Sequence, residues 1–183
     1  MSWISPPTKF IKFNVDGAMK VDGSAGGIGG TIRTPRCETL IFFYEPIDSN
    51  PPILAELLAI KFGITLFYSL KSRDKSRLVV ESDCKTTLEW ISNPSSCPTM
   101  FPSIVQSIVN VSDSRNMVFK FIPRSENVGA NMLAKEGIGV VLFALDAVPE
   151  LTRFSQAHVL SELRRYTALR SMEFHLNHRK MHQ

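Results

Sequence analysis

The sequence predicts an α/β domain in which a mixed five-stranded sheet, its first three strands antiparallel, is flanked by helices. The first observation is that the period of the apolar residues switches repeatedly between two, typical of strands, and about 3.6, typical of helices. The second is the order of the switches, since three strand-like segments come in succession and the later ones alternate with helices. The third is composition, because 183 residues that are 44% hydrophobic and 21% charged suffice for one domain with a sizeable core.

The expected antiparallel meander occupies the first part of the chain. Residues 11–16 alternate between apolar and polar side chains, which places Asp16 on the polar face of a strand, and Gly17 is expected to begin a turn. Residues 26–33 and 39–44 are two further strand-like segments, joined by a turn that contains a proline.

A helix is expected after Asn50-Pro51-Pro52, because proline suits the first turn of a helix and apolar residues then recur on one stripe over 53–67. Glu56 falls in the early turns of this helix, and a fourth strand over 77–81 ends near Asp83. The remaining elements are expected to be helices at 85–91, 101–111 and 130–136 and a strand at 117–122.

Charge divides the chain into two parts. Residues 151–183 hold six Lys or Arg and two Glu, a balance of +4, whereas the fifteen basic and fifteen acidic residues of 1–150 cancel. We therefore expect a domain over 1–140 and a basic C-terminal extension over 141–183 that is partly helical or disordered. Basic side chains of the extension could contact phosphates, and the alternative is a solvated terminal segment.

Targeting and membrane signals are not found in the sequence pattern. The first residues lack the charged and apolar regions of a signal peptide, and the apolar run near 140–145 is too short to span a bilayer. The three cysteines form neither a metal-ligand spacing nor an even disulfide set, which favours a reducing compartment. The expectation is an intracellular monomer, nuclear or cytoplasmic, without a membrane partner.

Three carboxylates stand where strand or helix ends could aim them into one pocket: Asp16, Glu56 and Asp83, at spacings of 40 and 27 residues. Taken singly, an Asp before Gly is often a turn former, and a Glu early in a helix often serves the helix dipole. Taken together, they are the hard oxygen ligands that Mg²⁺ prefers. Glu81 points to the same strand face as Asp83, but it is expected to be a solvated or salt-bridged neighbour and not a ligand.

Four ordered motifs resemble the successive signatures of the ribonuclease H family, and more closely its plant reverse-transcriptase-like group, whose relatives also end the polyproteins of retroelements. The similarity covers about residues 3–137 and implies the ribonuclease H-like fold. The motifs are Asn14-Val15-Asp16-Gly17-Ala18, Ala55-Glu56, Glu81-Ser82-Asp83 and the segment from Pro123 to Lys135.

This resemblance implies hydrolysis of the RNA strand of an RNA–DNA hybrid, with double-stranded RNA as an alternative partner. It implies two Mg²⁺ ions as cofactors, with Mn²⁺ as a substitute. Asp16, Glu56 and Asp83 would be the catalytic residues and, together with Asn131, the metal ligands. Asp16 would bridge the ions, while Glu56 would orient the 2′-hydroxyl or a water. The residues that would contact the substrate are Gly17, Ala18, Asp22, Ser24, Lys85, Arg124 and Asn127.

Asn131 departs from the family pattern, which commonly has an aspartate at this position. An amide keeps a carbonyl oxygen for a metal but has lost the charge, so weaker occupancy of one metal site is expected. Arg124 stands where many members carry a histidine, and residues 1–150 contain no histidine at all. A mechanism based on histidine is therefore excluded for this part of the chain.

Two functions from different classes remain open on the sequence. The intact Asp16, Glu56 and Asp83 favour a Mg²⁺-dependent endoribonuclease, and Asn131 favours a catalytically weakened, retroelement-derived nucleic-acid-binding domain. Exonucleases, integrases and actin-like ATPases share the fold, but the segment after Asn127 argues against them. An integrase would carry a carboxylate in the last helix, and an ATPase would need a second phosphate loop.

Overall fold

The computed structural model describes residues 4–48, 50–69 and 76–139, so the predicted C-terminal extension lies outside the described residues. The elements follow the order βββαβααβα. The strands are β1 (Phe10–Met19), β2 (Ala25–Arg33), β3 (Thr39–Asp48), β4 (Arg77–Ser82) and β5 (Val118–Phe121). The helices are α1 (Pro52–Ser69), α2 (Lys85–Ser92), α3 (Pro102–Arg115) and α4 (Val128–Gly139), with short 3-10 turns at Pro94–Ser96 and Arg124–Glu126.

The five strands form one mixed sheet in the order β3-β2-β1-β4-β5. β1 pairs with β2, and β2 with β3, in antiparallel fashion. β4 lies parallel to β1 on its other side, and β5 lies parallel to β4. The predicted fold class, a mixed five-stranded sheet with an antiparallel meander at its start, is confirmed.

β1 extends further than the sequence pattern predicted. Gly17 does not begin a turn, since it pairs with Ile28 inside the antiparallel ladder, and β1 continues to Met19 before the chain turns at 20–24. The reason is packing: a Cβ at Gly17 would overlap the backbone of α1 at Ala55 and Glu56. A glycine inside a strand often marks such a close approach of another backbone.

α1 packs on one face of the sheet. Phe13 of β1 fits beneath Gly63, where a side chain would collide with its ring, and Phe43 lies between the rings of Phe13 and Phe62. Among the described helices, α1 alone has the length and composition of a membrane span, but 61% of its apolar window is buried inside the protein. α1 is therefore the core helix of this domain, and its burial explains its hydropathy.

α4 packs on the opposite face. Gly29 lies opposite Asp16 in the β1–β2 ladder, so the two residues share a face, and Phe13 points to the other face, towards α1. Side chains at Gly27 and Gly29 would overlap the backbone of α4. Because these glycines let the helix approach the sheet backbone directly, the first turn of α4 comes close to Asp16.

Candidate active site

Asp16 lies where β1 extends beyond the end of its parallel neighbour, β4. The last paired residues of β1 and β4 are Asn14 and Glu81, whereas β1 remains paired with β2 as far as Met19. A gap therefore opens beside β1 at the end of β4, and Asp16, which is 2% exposed, lies at this gap. Because Asp16 is inside a strand, its interpretation as a turn former is wrong.

Glu56 enters the site from the second turn of α1. The close contact between Gly17 and the α1 backbone brings the Glu56 carboxyl to the end of β1. The Gly17 N–H donates both to Asp16 Oδ1 at 3.0 Å and to Glu56 Oε2 at 3.2 Å. The shared N–H brings the two carboxyl groups together at the end of β1.

Asp83 follows β4 directly and is held by Asn127, the residue before α4. Asn127 is 1% exposed, and its side-chain amide donates to Asp83 Oδ1 at 2.7 Å and to the Val15 carbonyl at 2.9 Å. Asn127 thus supplies the donor that the Val15 carbonyl needs just beyond the last β1–β4 pair. It is a tether between Asp83 and β1.

Asn131, four residues further along the chain, reaches the same cluster from α4. It is 9% exposed, and its amide nitrogen donates to Asp16 Oδ2 at 2.7 Å. Asn127 and Asn131 lie on one face of the helix, since the Asn131 N–H also donates to the Asn127 carbonyl at 3.0 Å. Two neighbouring amides therefore hold two of the three carboxylates.

The electrostatics of the cluster follow from burial and crowding of like charges. Burial raises the pKa of Glu56 to about 9, and the charges of Asp16 and Asp83 act in the same direction. Burial and the charge of Asp83 also raise the pKa of Asp16, while the hydrogen bond from Asn131 and the charge of Arg124 oppose that rise. In the absence of a cation, burial and crowding therefore favour the protonated form of Glu56.

The donor set fits a divalent cation of the Mg²⁺ type. Carboxylate oxygens are hard ligands, and crowded, buried carboxylates are stabilised by a cation that relieves their repulsion. In the part of the chain that the structure describes, however, no three His, Cys, Asp or Glu side chains already stand in the close arrangement of a formed metal site. In this geometry, hydrogen bonds from the Asn127 and Asn131 amides stabilise Asp83 and Asp16.

Several predicted substrate contacts lie at the surface around this cluster. Arg124 is exposed and close enough for its charge to act on Asp16. Asp22 accepts from the Ser24 N–H at 3.0 Å and from the Ser24 hydroxyl at 2.7 Å, so these two residues shape the β1–β2 turn. Lys85, at the start of α2, pairs with Glu89 at 3.6 Å on the outside of the helix.

Two predicted substrate contacts have other partners. The Gly17 N–H donates to the carboxylates of Asp16 and Glu56, and Asn127 is buried within the cluster. Ala18, by contrast, is half-buried and pairs with Gly27 in the β1–β2 ladder. The sequence offered one signal for the role of Asn127, namely its spacing of four residues from Asn131. That spacing does not indicate which acceptor atoms the Asn127 amide contacts.

Glu81 is separate from the carboxylate cluster. It is 3% exposed and pairs with Lys12 at 3.1 Å and with Lys120 at 3.4 Å, while the Asn14 amide donates to its other oxygen at 2.9 Å. The prediction of a salt-bridged neighbour is confirmed, although Glu81 is not solvated. Buried charges persist only with such partners.

A family model described as reverse transcriptase-like matches residues 14–137. That stretch contains all three carboxylates and both amides of the cluster. No curated protein sequence matches the chain.

Solved structures share the fold. LC11-RNase H1, isolated from compost by a metagenomic approach, gives a TM-score of 0.65 at 21% identity, covering 72% of this chain and 96% of that one. The same protein in complex with an RNA/DNA hybrid gives 0.64 at 22% identity, covering 70% and 96%. The N-terminal RNase H domain of a Mycobacterium tuberculosis protein gives 0.62 at 18% identity, covering 70% and 93%. The architecture described above is thus the ribonuclease H-like fold.

Proposed function

The chain belongs to the reverse transcriptase-like family, and we propose that it is a divalent-metal-dependent endoribonuclease that hydrolyses the RNA strand of RNA–DNA hybrids. The observation that carries this proposal is the convergence of three carboxylates from β1, α1 and the end of β4. The hydrogen bonds of Gly17 and Asn127 hold them together. Further support comes from a structural neighbour, LC11-RNase H1, which has been solved in complex with an RNA/DNA hybrid.

The residues have distinct tasks in this proposal. Asp16, central in the cluster and hydrogen-bonded from two sides, would hold both ions. Glu56 and Asp83 would each supply a further ligand to one of them. Two bound Mg²⁺ ions, or Mn²⁺ in their place, would supply activation of the attacking water and stabilisation of the leaving oxygen. Glu56 must give up its proton when it binds a cation, because a metal ligand has to be deprotonated.

Substrate recognition would use the surface around the cluster. Arg124, exposed beside Asp16, is suited to a phosphate of the cleaved strand. Discrimination of RNA from DNA would rest on the 2′-hydroxyl, which only the RNA strand offers. The turn formed by Asp22 and Ser24 follows Asp16 on the same hairpin and would face the hybrid.

The test is cleavage of an end-labelled RNA–DNA hybrid by the full chain in Mg²⁺ and in Mn²⁺. We expect cleavage by the wild type and its loss in Asp16→Asn, since losing an essential ligand removes the cation site. The matched control is Asp113→Asn, the same chemical change on an exposed residue of α3, which should retain wild-type activity. Cleavage that persists in Asp16→Asn would contradict the proposal and indicate a contaminating nuclease.

A second candidate function is supported by the hydrogen bond from Asn131 to Asp16. In this alternative, the chain is a catalytically weakened, retroelement-derived domain that binds nucleic acid without cutting it. Hybrid binding by the wild type without cleavage in either metal would favour this alternative. A parallel binding assay with double-stranded RNA would show whether the surface selects hybrids.

A further inference from the structure

Half of one sheet face carries no helix among the described residues. α1 packs on the other face together with α2 and α3, and α4 covers this face at Gly27 and Gly29. The uncovered half begins beside Asp16 and extends towards the start of β1. We call it the open half-face, and it comprises the side chains on the α4 side of the sheet within residues 10–14, 31–33, 42–44, 77–81 and 118–120.

Two exposed aromatic side chains stand at the β3 edge of the open half-face. Phe42 is 61% exposed and Tyr44 is 37% exposed. Both point away from the core, because Phe43 between them packs against Phe62 on the α1 side. Two residues along a strand are about 7 Å apart, so the two rings are neighbours. Adjacent exposed rings of this kind are typical of an interaction surface.

The open half-face is also strongly basic. Its strand residues include four cations, and their single carboxylate is Glu81. Glu81 pairs with Lys12 at 3.1 Å and with Lys120 at 3.4 Å. The other two cations are Arg33, opposite Lys12 in the ladder, and Arg77 at the start of β4. Four positive charges against one negative charge leave these strands with a balance of +3.

The register of the sheet places aromatic and basic groups in one row across the five strands. The paired residues of this row, from β3 to β5, are Phe42, Thr31, Asn14, Glu81 and Lys120. Four strand spacings of about 4.8 Å put Phe42 and Lys120 about 19 Å apart. Half of the Lys120 side chain is exposed. The row therefore runs from an exposed ring at one edge of the sheet to an exposed cation at the other.

We propose that the open half-face is a binding site for single-stranded nucleic acid, separate from the carboxylate cluster. Bases stack on Phe42 and Tyr44, and the phosphates lie towards Arg33 and Lys120. The excess of positive charge fits a polyanion, and the exposed rings fit bases whose faces are free. In a duplex these faces are stacked on neighbouring base pairs, so the site selects single strands. The inference goes beyond the proposed nuclease function and uses none of its metal ligands.

The test is fluorescence anisotropy of the full chain with labelled single-stranded RNA and DNA of about 12 nucleotides. The buffer contains EDTA, so that metal-dependent cleavage cannot occur. Phe42→Ala should weaken binding about tenfold, since one base stacked on a ring contributes affinity of that order. The matched control is Phe121→Ala, the same change at a residue that is 50% exposed and points to the other face of the sheet. It should bind like the wild type.

The contribution of charge is measured with Lys120→Gln. In a plot of the log of the binding constant against the log of the salt concentration, the slope should become less steep by about 0.7, the value for one phosphate of a single strand. Lys61→Gln is the same change on α1, on the other face of the sheet. The slope for this control should equal that of the wild type.

Equal affinities of Phe42→Ala and Phe121→Ala, or no binding of single strands by the wild type, would overturn the inference. A second copy of the chain is the alternative occupant. Sedimentation that shows a dimer for the wild type and a monomer for Phe42→Ala would assign the open half-face to self-association instead. If Phe42→Ala does not fold, the salt dependence decides: a changed slope in Lys120→Gln alone supports the inference, and equal slopes in Lys120→Gln and Lys61→Gln contradict it.

The outcome is independent of the nuclease proposal. Because the binding assay contains no divalent cation, a chain that cleaves no hybrid can still bind single strands. A chain that cleaves hybrids can equally fail to bind them, so failure of either proposal leaves the other standing.

Discussion

At the scale of single residues, the site depends on side-chain amides as much as on carboxylates. Asn127 and Asn131 each donate at 2.7 Å to an acid of the cluster, and each is buried. A buried carboxylate without partners is costly, whereas one that accepts hydrogen bonds is stable. The amides therefore stabilise two of the three acids, Asp83 and Asp16, without a cation.

Removal of the Asn127 amide should destabilise the protein without metal. Asn127→Ala leaves both the Val15 carbonyl and Asp83 without a donor, and we expect a loss of about 1–3 kcal/mol in the free energy of unfolding. Urea denaturation in EDTA measures it. Asn110→Ala is the matched control, since Asn110 is exposed on α3 and its side chain accepts from Gln106. Its change should stay within about 0.5 kcal/mol. Equal losses in the two variants would show that Asn127 is not a structural tether.

At the scale of elements, the position of the site results from unequal strand lengths. β1 continues past the last residue that it pairs with β4. The gap receives Asp16 from β1, Asp83 from the chain after β4 and Asn127 from the position before α4. α1 and α4 lie on opposite faces of the sheet and still contribute to one site, because the gap is open to both. Strand order and register are therefore what unite residues more than a hundred positions apart.

The approach of α4 to the sheet should be sensitive to the glycines of β2. Gly29→Ala places a Cβ within the α4 backbone near Leu133 and Ala134, and overpacking of this kind typically costs about 1–3 kcal/mol. Hybrid cleavage should fall as well, because α4 positions both amides of the site. Thermal and urea unfolding, together with the cleavage assay, measure these effects.

The control for this prediction is Gly129→Ala, on the first turn of α4. A Cβ there meets nothing within 4 Å, and alanine in place of a helical glycine should stabilise by about 0.5–1 kcal/mol. If Gly29→Ala were as harmless as this control, the direct contact between β2 and α4 would be refuted.

At the scale of the whole molecule, charge is unevenly distributed along the chain. The residues 1–150 are neutral in sum, and the basic excess of +4 lies in 151–183, outside the described residues. Assignment of that extension to nucleic-acid binding stays a prediction. Each phosphate contact releases a counterion, so participation of the extension has a measurable dependence on salt.

Neutralising two arginines of the extension should reduce that dependence. The variant combines Arg164→Gln with Arg165→Gln. In a plot of the log of the hybrid-binding constant against the log of the salt concentration, the slope should become less steep by about one for each phosphate that the variant no longer neutralises. Fluorescence anisotropy over a range of salt concentrations measures the slope. The control neutralises Lys9 and Arg36, which are exposed at the end of the sheet away from Asp16. An unchanged slope in the double variant would exclude those arginines from the interface.

Sequence alone determined the type and order of the elements and the family, and the match over residues 14–137 confirms the family. Each of these is local, since periodicity and short motifs depend on neighbouring residues. The roles of the three acids stay a prediction. Finer attributes, among them the plant-like subgroup and the cellular compartment, stay predictions.

Only the tertiary structure decided how the site is held together. It placed Gly17 inside β1 with its N–H on two carboxylates, turned the Asn131 nitrogen towards Asp16, and tied Asp83 to Val15 through Asn127. None of this is visible in a linear pattern, because the direction of an amide is set by the acceptor that the fold brings to it. For Asn127 the acceptor is the Val15 carbonyl, 112 residues earlier in the chain, and for Asn131 it is Asp16, 115 residues earlier.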